Sequence, residues 1–313
     1  MKTIQAPRAS AILYWLLAGR KQEHPWLLPA NICPIVPLTF MKARIPFEFV
    51  DISATTLHMD LDQAEARMRK RQFAGLLWAH TYGAPFTPGS FFSLARSLHP
   101  EMLIIDDRCL CTPEFEVSST ADVVLFSTGY AKIVDLNFGG YAFVQENVHL
   151  QPIPLKFNSS DYARMEDSWK SSIRDASHFT YRDCDWLQTD AELPSWDAYR
   201  NQIEANLKPS LSQREALNEI YASRLPAEIQ LPGEFQRWRF NIRVRNKPAV
   251  MRAIFESGLF ASSHYASLAG VMSGERAPRA ELLAGEVINL FNDHRIDAKK
   301  AERIGEIVLK HLS

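Results

Sequence analysis

Six short apolar runs divide the first half of the chain, at 26–28, 47–51, 75–80, 102–106, 123–127 and 141–145. They are apolar rather than alternating, which predicts strands buried on both faces, as in a parallel sheet layered by helices. Helical patterns separate them at 9–18, 61–71 (with Asp60 as N-cap) and 86–98. Polar residues gather where the strands end: His80, Asp106, Asp107 and Ser127. In open α/β sheets that rim is where ligands bind. With 313 residues the chain can bury a large core and still carry a smaller second unit.

The rest of the chain reads differently. Residues 151–200 are rich in aromatic residues, Asp and Ser without a clear period, which predicts an irregular, partner-facing crossover. A helix is expected from about 211 to 224, ended by Pro226, Pro232 and Gly233. The last eighty or so residues read as an α+β unit. It has an alternating strand at 238–244, a helix at 247–257 closed by Gly258, an extended stretch at 259–265, a helix at 280–290 and a closing helix from Asp297 with Ala301, Ile304 and Val308 inward. We divide the chain into a large domain over 1–205 and a small one over 206–313.

Charge and cysteine content exclude several classes. A net charge of -1 gives no footprint for nucleic acid or an anionic membrane. The four cysteines (Cys33, Cys109, Cys111, Cys184) are too few and unevenly spaced for a disulfide framework, and Cys109-Leu110-Cys111 has no partner pair for a metal knuckle. Lys2 and Arg8 before the apolar run 9–18 resemble a signal peptide. Leu16 and Leu17, however, stand where small residues are needed for cleavage, and Arg20-Lys21 follow directly. The run is too short to span a bilayer. We expect a cytoplasmic protein with reduced thiols and no metal.

The chemistry centres on the stretch 126–132, where Lys132 follows a strand end five residues after Ser127. A lysine there can condense with the aldehyde of pyridoxal 5'-phosphate (PLP), and the serine can reach the phosphate. The pair Asp106-Asp107 ends the preceding strand, where a carboxylate can hold a pyridine nitrogen protonated. A one-residue change of register exchanges the two aspartates.

Several ordered segments add a resemblance. Residues 27–34 (LLPANICP) are similar to "LPAYICP", 49–52 and 57–60 to "FVDID…LNID", and 79–83 (AHTYG) to "VHLYG". Residues 105–107 (IDD) are similar to "IED", 121–127 to "GDAACFS", and 258–265 (GLFASSHY) to "GI…HYP". In these segments and their order the chain resembles the DegT/DnrJ-type nucleotide-sugar aminotransferases, a branch of the PLP-dependent fold-type I enzymes. The resemblance implies that Lys132 carries the cofactor and moves the substrate proton. It also implies that Asp107 meets the pyridine nitrogen, with Asp106 the alternative. Ser127, Ser10 and Ala9 would meet the phosphate, while His80 and Cys33 would lie against the cofactor. His264 and Tyr265 would stand near the sugar. It implies a homodimer that transfers an amino group, from glutamate, to a nucleotide-linked keto-sugar in surface-polysaccharide or secondary-metabolite synthesis. The segment 179–186, with Tyr181 and Arg182, would reach the partner's site.

The chain departs from the family at named positions. Arg8-Ala9 replaces a Gly-Thr or Gly-Arg pair, no large ring falls at 31–33 to stack on the cofactor, and Leu110 stands where a Gln or His meets the phenolic oxygen, leaving Arg108 or Cys109 to substitute. These departures motivate a second reading, a homologue that binds PLP, a sugar nucleotide or a protein without turnover. A third, sugar dehydration, would replace the lysine by histidine, and the chain has Lys132.

Overall fold

A computed structural model describes residues 1–20 and 23–312; Lys21 lies outside them. Seven strands form the main sheet: β1 (Lys2–Ala6), β2 (Trp26–Pro29), β3 (Phe47–Val50), β4 (Gly75–Ala79), β5 (Leu103–Asp107), β6 (Val123–Ser127) and β7 (Gly140–Val144). They lie in the order β1-β7-β6-β5-β4-β2-β3, parallel from β6 to β3, with β7 antiparallel to both neighbours. All six predicted runs are strands of this sheet. β1 was not expected, because its half-exposed residues KTIQA lack the apolar signal of the buried strands.

Helices cover both faces. Leu28, Leu77, Ile105 and Leu125 face α1 (Ala9–Leu17) and α2 (Ile35–Lys42). Leu76, Trp78 and Ile104 face α3 (Leu61–Met68) and α4 (Gly89–Leu98). This alternation decides the chemistry, since residues of odd and even number on β5 serve opposite faces. α1 crosses β6 and β7, and its start presses on β7 at Gly140. A Cβ there would collide with the backbone of Ala9, so only glycine permits the approach.

The crossover holds more helix than expected. α5 (Ser159–Arg174) starts at Asn158, whose side chain accepts from the Ser160 and Asp161 N–H groups. α6 (Trp196–Arg224) begins well before 211 and runs through Pro209. Its first half packs Tyr199 and Ile203 against β6 and β7, and its second half packs Leu217 and Tyr221 against the C-terminal unit. Positions 205 and 206 therefore lie within one continuous helix.

In the C-terminal unit, β8 (Phe240–Arg243) pairs antiparallel with β9 (Val287–Leu290), flanked by α7 (Lys247–Glu256), α8 (Pro278–Glu286) and α9 (Ala298–Lys310). The stretch 280–290 is a correction, for the helix ends at Glu286. Val287 turns extended, and its strand pairs with β8. The inward residues Ala301, Ile304 and Val308 of α9 are buried.

Candidate functional site

A cavity of about 580 Å³ opens at the strand ends on the α1 side. Lys132, Asp107, Ser127, Ser10, Ala9, Cys33, His264 and Tyr265 all line it. Among the sequence-derived candidates, His80, Asp106, Tyr181 and Arg182 do not.

One end is built for an anion. No side chain caps α1, and while the Ala11 N–H turns back to the Arg8 carbonyl at 3.0 Å, Ala9 and Ser10 bring the helix start to the cavity. Arg8 and Ser127 converge beside Gly129, where a Cβ would lie 3.6 Å from Arg8 Nη1 and 3.5 Å from Ser127 Oγ. A guanidinium, a hydroxyl and a helix start thus meet at one point, which suits a phosphate. Arg8, where the resembled family has a glycine, supplies the charge.

The middle of the cavity carries the acid. Asp107 is 8% exposed, and its Oδ1 accepts from the Cys109 N–H at 2.9 Å. Burial raises the thiol pKa of Cys33 and, further, of Cys109, so the walls beside Asp107 and Lys132 are neutral. Leu110 lies outside the cavity, and Arg108 turns to the other face of the sheet, leaving Cys109 as the lining residue of that turn.

The even-numbered positions explain the rest. Trp78, His80 and Asp106 share the α3/α4 face. There His80 Nε2 meets Asp106 Oδ1 at 2.7 Å, and Asp106 Oδ2 accepts from Arg108 Nε and Ser119 Oγ, each at 3.0 Å. Burial works against a charged His80, but Cys111 and Asp106 outweigh it and lift its pKa to about 10. Asp106 also pays for burial, yet its bond and charge interaction with His80, followed by Arg108, hold its pKa below the usual carboxylate value. The arrangement is a structural ion pair behind the cavity, which corrects the placement of His80 and Asp106 against the cofactor.

Lys132 sits on a loop gripped from the C-terminal unit. Trp238 Nε1 donates to the Ala131 carbonyl at 2.7 Å, and Arg214 Nη2 of α6 donates to the Lys132 carbonyl at 2.9 Å. Asp135 accepts from the Ala131 N–H and from Arg295. These contacts hold Ala131 at φ 58°, a conformation that alanine resists.

Other lining residues escaped the sequence reading. Trp238 stacks between Tyr82 (6.5 Å) and Tyr265 (6.2 Å) and gives the cavity a large ring that 31–33 lacks. Tyr162, Glu166, Trp169 and Ile173 form one stripe of α5 over the cavity, and their 4-3-4 spacing was the available signal. Burial, then the charges of Arg239 and Lys132, lower the pKa of His264 to about 3, so it is neutral at physiological pH. Tyr181 bonds Asp183 and Trp186, while Arg182 is exposed.

Among the described residues no His, Cys, Asp or Glu cluster could hold a metal ion, and no helix is long and apolar enough to cross a membrane.

No protein-family profile and no curated protein sequence matches the chain. Solved structures do. A DegT DnrJ EryC1 StrS aminotransferase from Brucella abortus superposes with a TM-score of 0.72 at 14% identity, over 100% of this chain and 86% of that one. The PLP form of a putative sugar aminotransferase from Streptococcus pneumoniae gives 0.70 at 15%, over 100% and 88%. A sugar aminotransferase from Micromonospora echinospora gives 0.65 at 16%, over 99% and 87%. The chain has the fold of these PLP-dependent aminotransferases. At such identities the likeness establishes the fold, and function must be argued from the site.

Proposed function

We propose that this protein is a PLP-dependent aminotransferase that moves an amino group from an amino acid, glutamate in our reading, to a nucleotide-linked keto-sugar. The observation that carries the proposal is the convergence in one cavity of Lys132, Asp107 and an anion site made by Arg8, Ser127 and the start of α1. Arg8, Ser10, Ser127 and the α1 N–H groups would hold the phosphate, Asp107 the ring nitrogen, and Trp238, Cys33 and Cys109 the ring surroundings. PLP, when bound, supplies an aldehyde that condenses with amines and a ring that withdraws electrons. Lys132 Nζ would then hold the proton taken from the substrate carbon and return it. Neutral His264 and the ring of Tyr265 would border the substrate, and the α5 stripe would limit water.

A two-fold homodimer belongs to this reading. Tyr130 supports it, being a cavity residue that is 63% exposed in the single chain and suited to cover by a second copy. Sedimentation equilibrium checks it, with twice the 35.6 kDa chain mass expected.

The test of function is the visible absorption of protein with PLP, wild type against Lys132→Ala, followed by borohydride reduction and peptide mapping. A band lost in the variant, with the label on Lys132, supports the assignment and leads to a screen of keto-sugars with glutamate. No band at saturating PLP refutes it.

A further inference from the structure

The walls of the cavity are not held alike. Its floor is the rim of the main sheet with the starts of α1 and α2, and a side wall, with Trp238 and the buried Arg239, belongs to the C-terminal unit. That unit is fixed to the sheet at several points. Trp238 and Arg214 bond the carbonyls of Ala131 and Lys132. Asp51, just past β3, accepts from the Arg279 and Ala280 N–H groups of the first turn of α8 at 3.0 and 2.9 Å, and the Leu268 N–H donates to the Ala30 carbonyl at 3.0 Å. A swing of the C-terminal unit would break these bonds together.

α5, the remaining wall, is held loosely. No described strand or other helix runs alongside it, whereas α1 lies against α2 and β7, and α6 against α9. Of its 16 residues Met165 and Ser172 are buried, and it is strung between two irregular segments, 145–158 and 175–195. Those segments are pinned to the body outside the helix. Trp15 Nε1 of α1 donates to the Ile153 carbonyl at 3.1 Å, the Phe179 N–H to the Val271 carbonyl at 2.8 Å, and Lys42 of α2 to Asp183 at 2.7 Å. The other ties, from Asn158 and Asp161 to Asp185 and from Leu155 to Thr189, run between the two segments and the start of α5. Few buried contacts and solvent-facing backbone bonds are the marks of a piece that opens readily.

The inner face of α5 is nevertheless suited to a ligand. Tyr162, Glu166, Trp169 and Ile173 line the cavity. The Tyr162 hydroxyl feels Glu166 on its own helix, then Cys33 and Arg8, so this end stands by the anion site. Lys170 acts on His264, so the other end stands by the substrate side. Trp169 carries a buried indole N–H with no partner among the described residues. A buried donor left unpaired is costly, and an acceptor on a ligand removes that cost. Two rings and a free donor on a weakly held helix thus face the place where Arg8, Lys132 and Asp107 meet.

We propose that α5 is a lid, which lifts to admit PLP and closes on it through Tyr162 and Trp169. The inference rests on the PLP assignment. The moving wall is then a single helix between the pins at Ile153 and Phe179, while the C-terminal unit stays in place. Closure removes water from the loaded site, and release of the cofactor requires the helix to lift again.

Hydrogen–deuterium exchange of the full chain with and without PLP, read by mass spectrometry and corrected for intrinsic rates, tests the lid. In PLP-free protein the amides of 162–174 should exchange at least about tenfold faster than those of α1 and α9, although all three segments are helical. Saturating PLP should slow exchange in 162–174 at least about tenfold and leave α9 unchanged. Trp169→Ala should lose most of that protection and release PLP at least about tenfold faster, and Tyr162→Ala serves if the first variant does not fold. Exchange in α5 as slow as in α1 and α9 without PLP overturns the proposal. So does exchange that PLP leaves unchanged while the visible band forms, or equal protection in wild type and both variants. The band is recorded on the same samples. Fast exchange in α5 with no band in wild type supports the opening and counts against the cofactor reading, so the two failures are distinguishable.

Discussion

Adjacent aspartates on one strand should give opposite phenotypes. Asp106→Asn keeps the side-chain shape and one acceptor but removes the charge between His80, at 2.7 Å, and Arg108, at 3.0 Å, in a position 0% exposed. Breaking a buried ion pair costs about 3–5 kcal/mol, and the retained acceptor puts this variant near about 3 kcal/mol. For a protein of this size that lowers the melting midpoint by roughly 5–10 °C. Asp107→Asn, which removes no salt bridge, should shift the midpoint little and abolish the visible cofactor band or turnover. The pH dependence has a definite sign. The raised pKa of His80 gives stability that is full below its ordinary 6.5 and is lost as pH rises through about 10. The lowered pKa of Asp106 gives stability that is present above its ordinary 3.8 and is lost as pH falls through its lower folded value. The gap between wild type and Asp106→Asn should therefore be widest between about pH 4 and 6.5 and narrow on the alkaline side. Urea unfolding followed by circular dichroism across that range measures it. Equal destabilisation by the two variants, or a gap that widens above pH 8, would refute the assignment of opposite faces.

Three further outcomes are expected. Gly140→Ala should push the start of α1 away from β7 and weaken PLP binding more than about tenfold in a spectroscopic titration, while Lys132 stays modifiable. Arg214→Met leaves the carbonyls of Lys132 and Trp238 and the Asn292 amide oxygen without their donor, so unfolding should become easier by about 1–3 kcal/mol and kcat should fall while PLP stays bound. Lys132→Ala should keep the wild-type unfolding free energy within about 0.5 kcal/mol and lose all amino transfer, as measured by denaturation and a glutamate-dependent assay.

The sheet was readable because buried parallel strands must be largely apolar, and the six runs met that condition apart from Glu48 on the edge strand β3 and the polar residues at the run ends. The ordering of His80, Asp106 and Asp107 at the rim was equally plain. What one sequence leaves open is which face each residue serves, because that depends on pleat phase, and phase is visible only once neighbouring strands are in register. α5 hid because only Met165 and Ser172 on it are buried, and its cavity stripe mixes Glu166 with aromatic residues. Pro209 masked the first half of α6, which tolerates it inside the helix. β9 was read as helix because Ala280, Leu283, Val287 and Leu290 continue a helical spacing past the point where Val287 turns extended. Arg239 was overlooked for a related reason. In an alternating strand an arginine reads as the solvent-facing position, and nothing local marks it as buried.

The grip of Trp238, Arg214 and Arg295 on the 127–136 loop bears on how this protein can be recombined. An exchange of its C-terminal third with a relative's would separate the lysine-bearing loop from the donors that shape it, even if both halves fold well. A working chimera would need to transfer the loop and those three residues together. The seam therefore belongs within the large sheet, upstream of β6, and not in the long helix that visually joins the two halves.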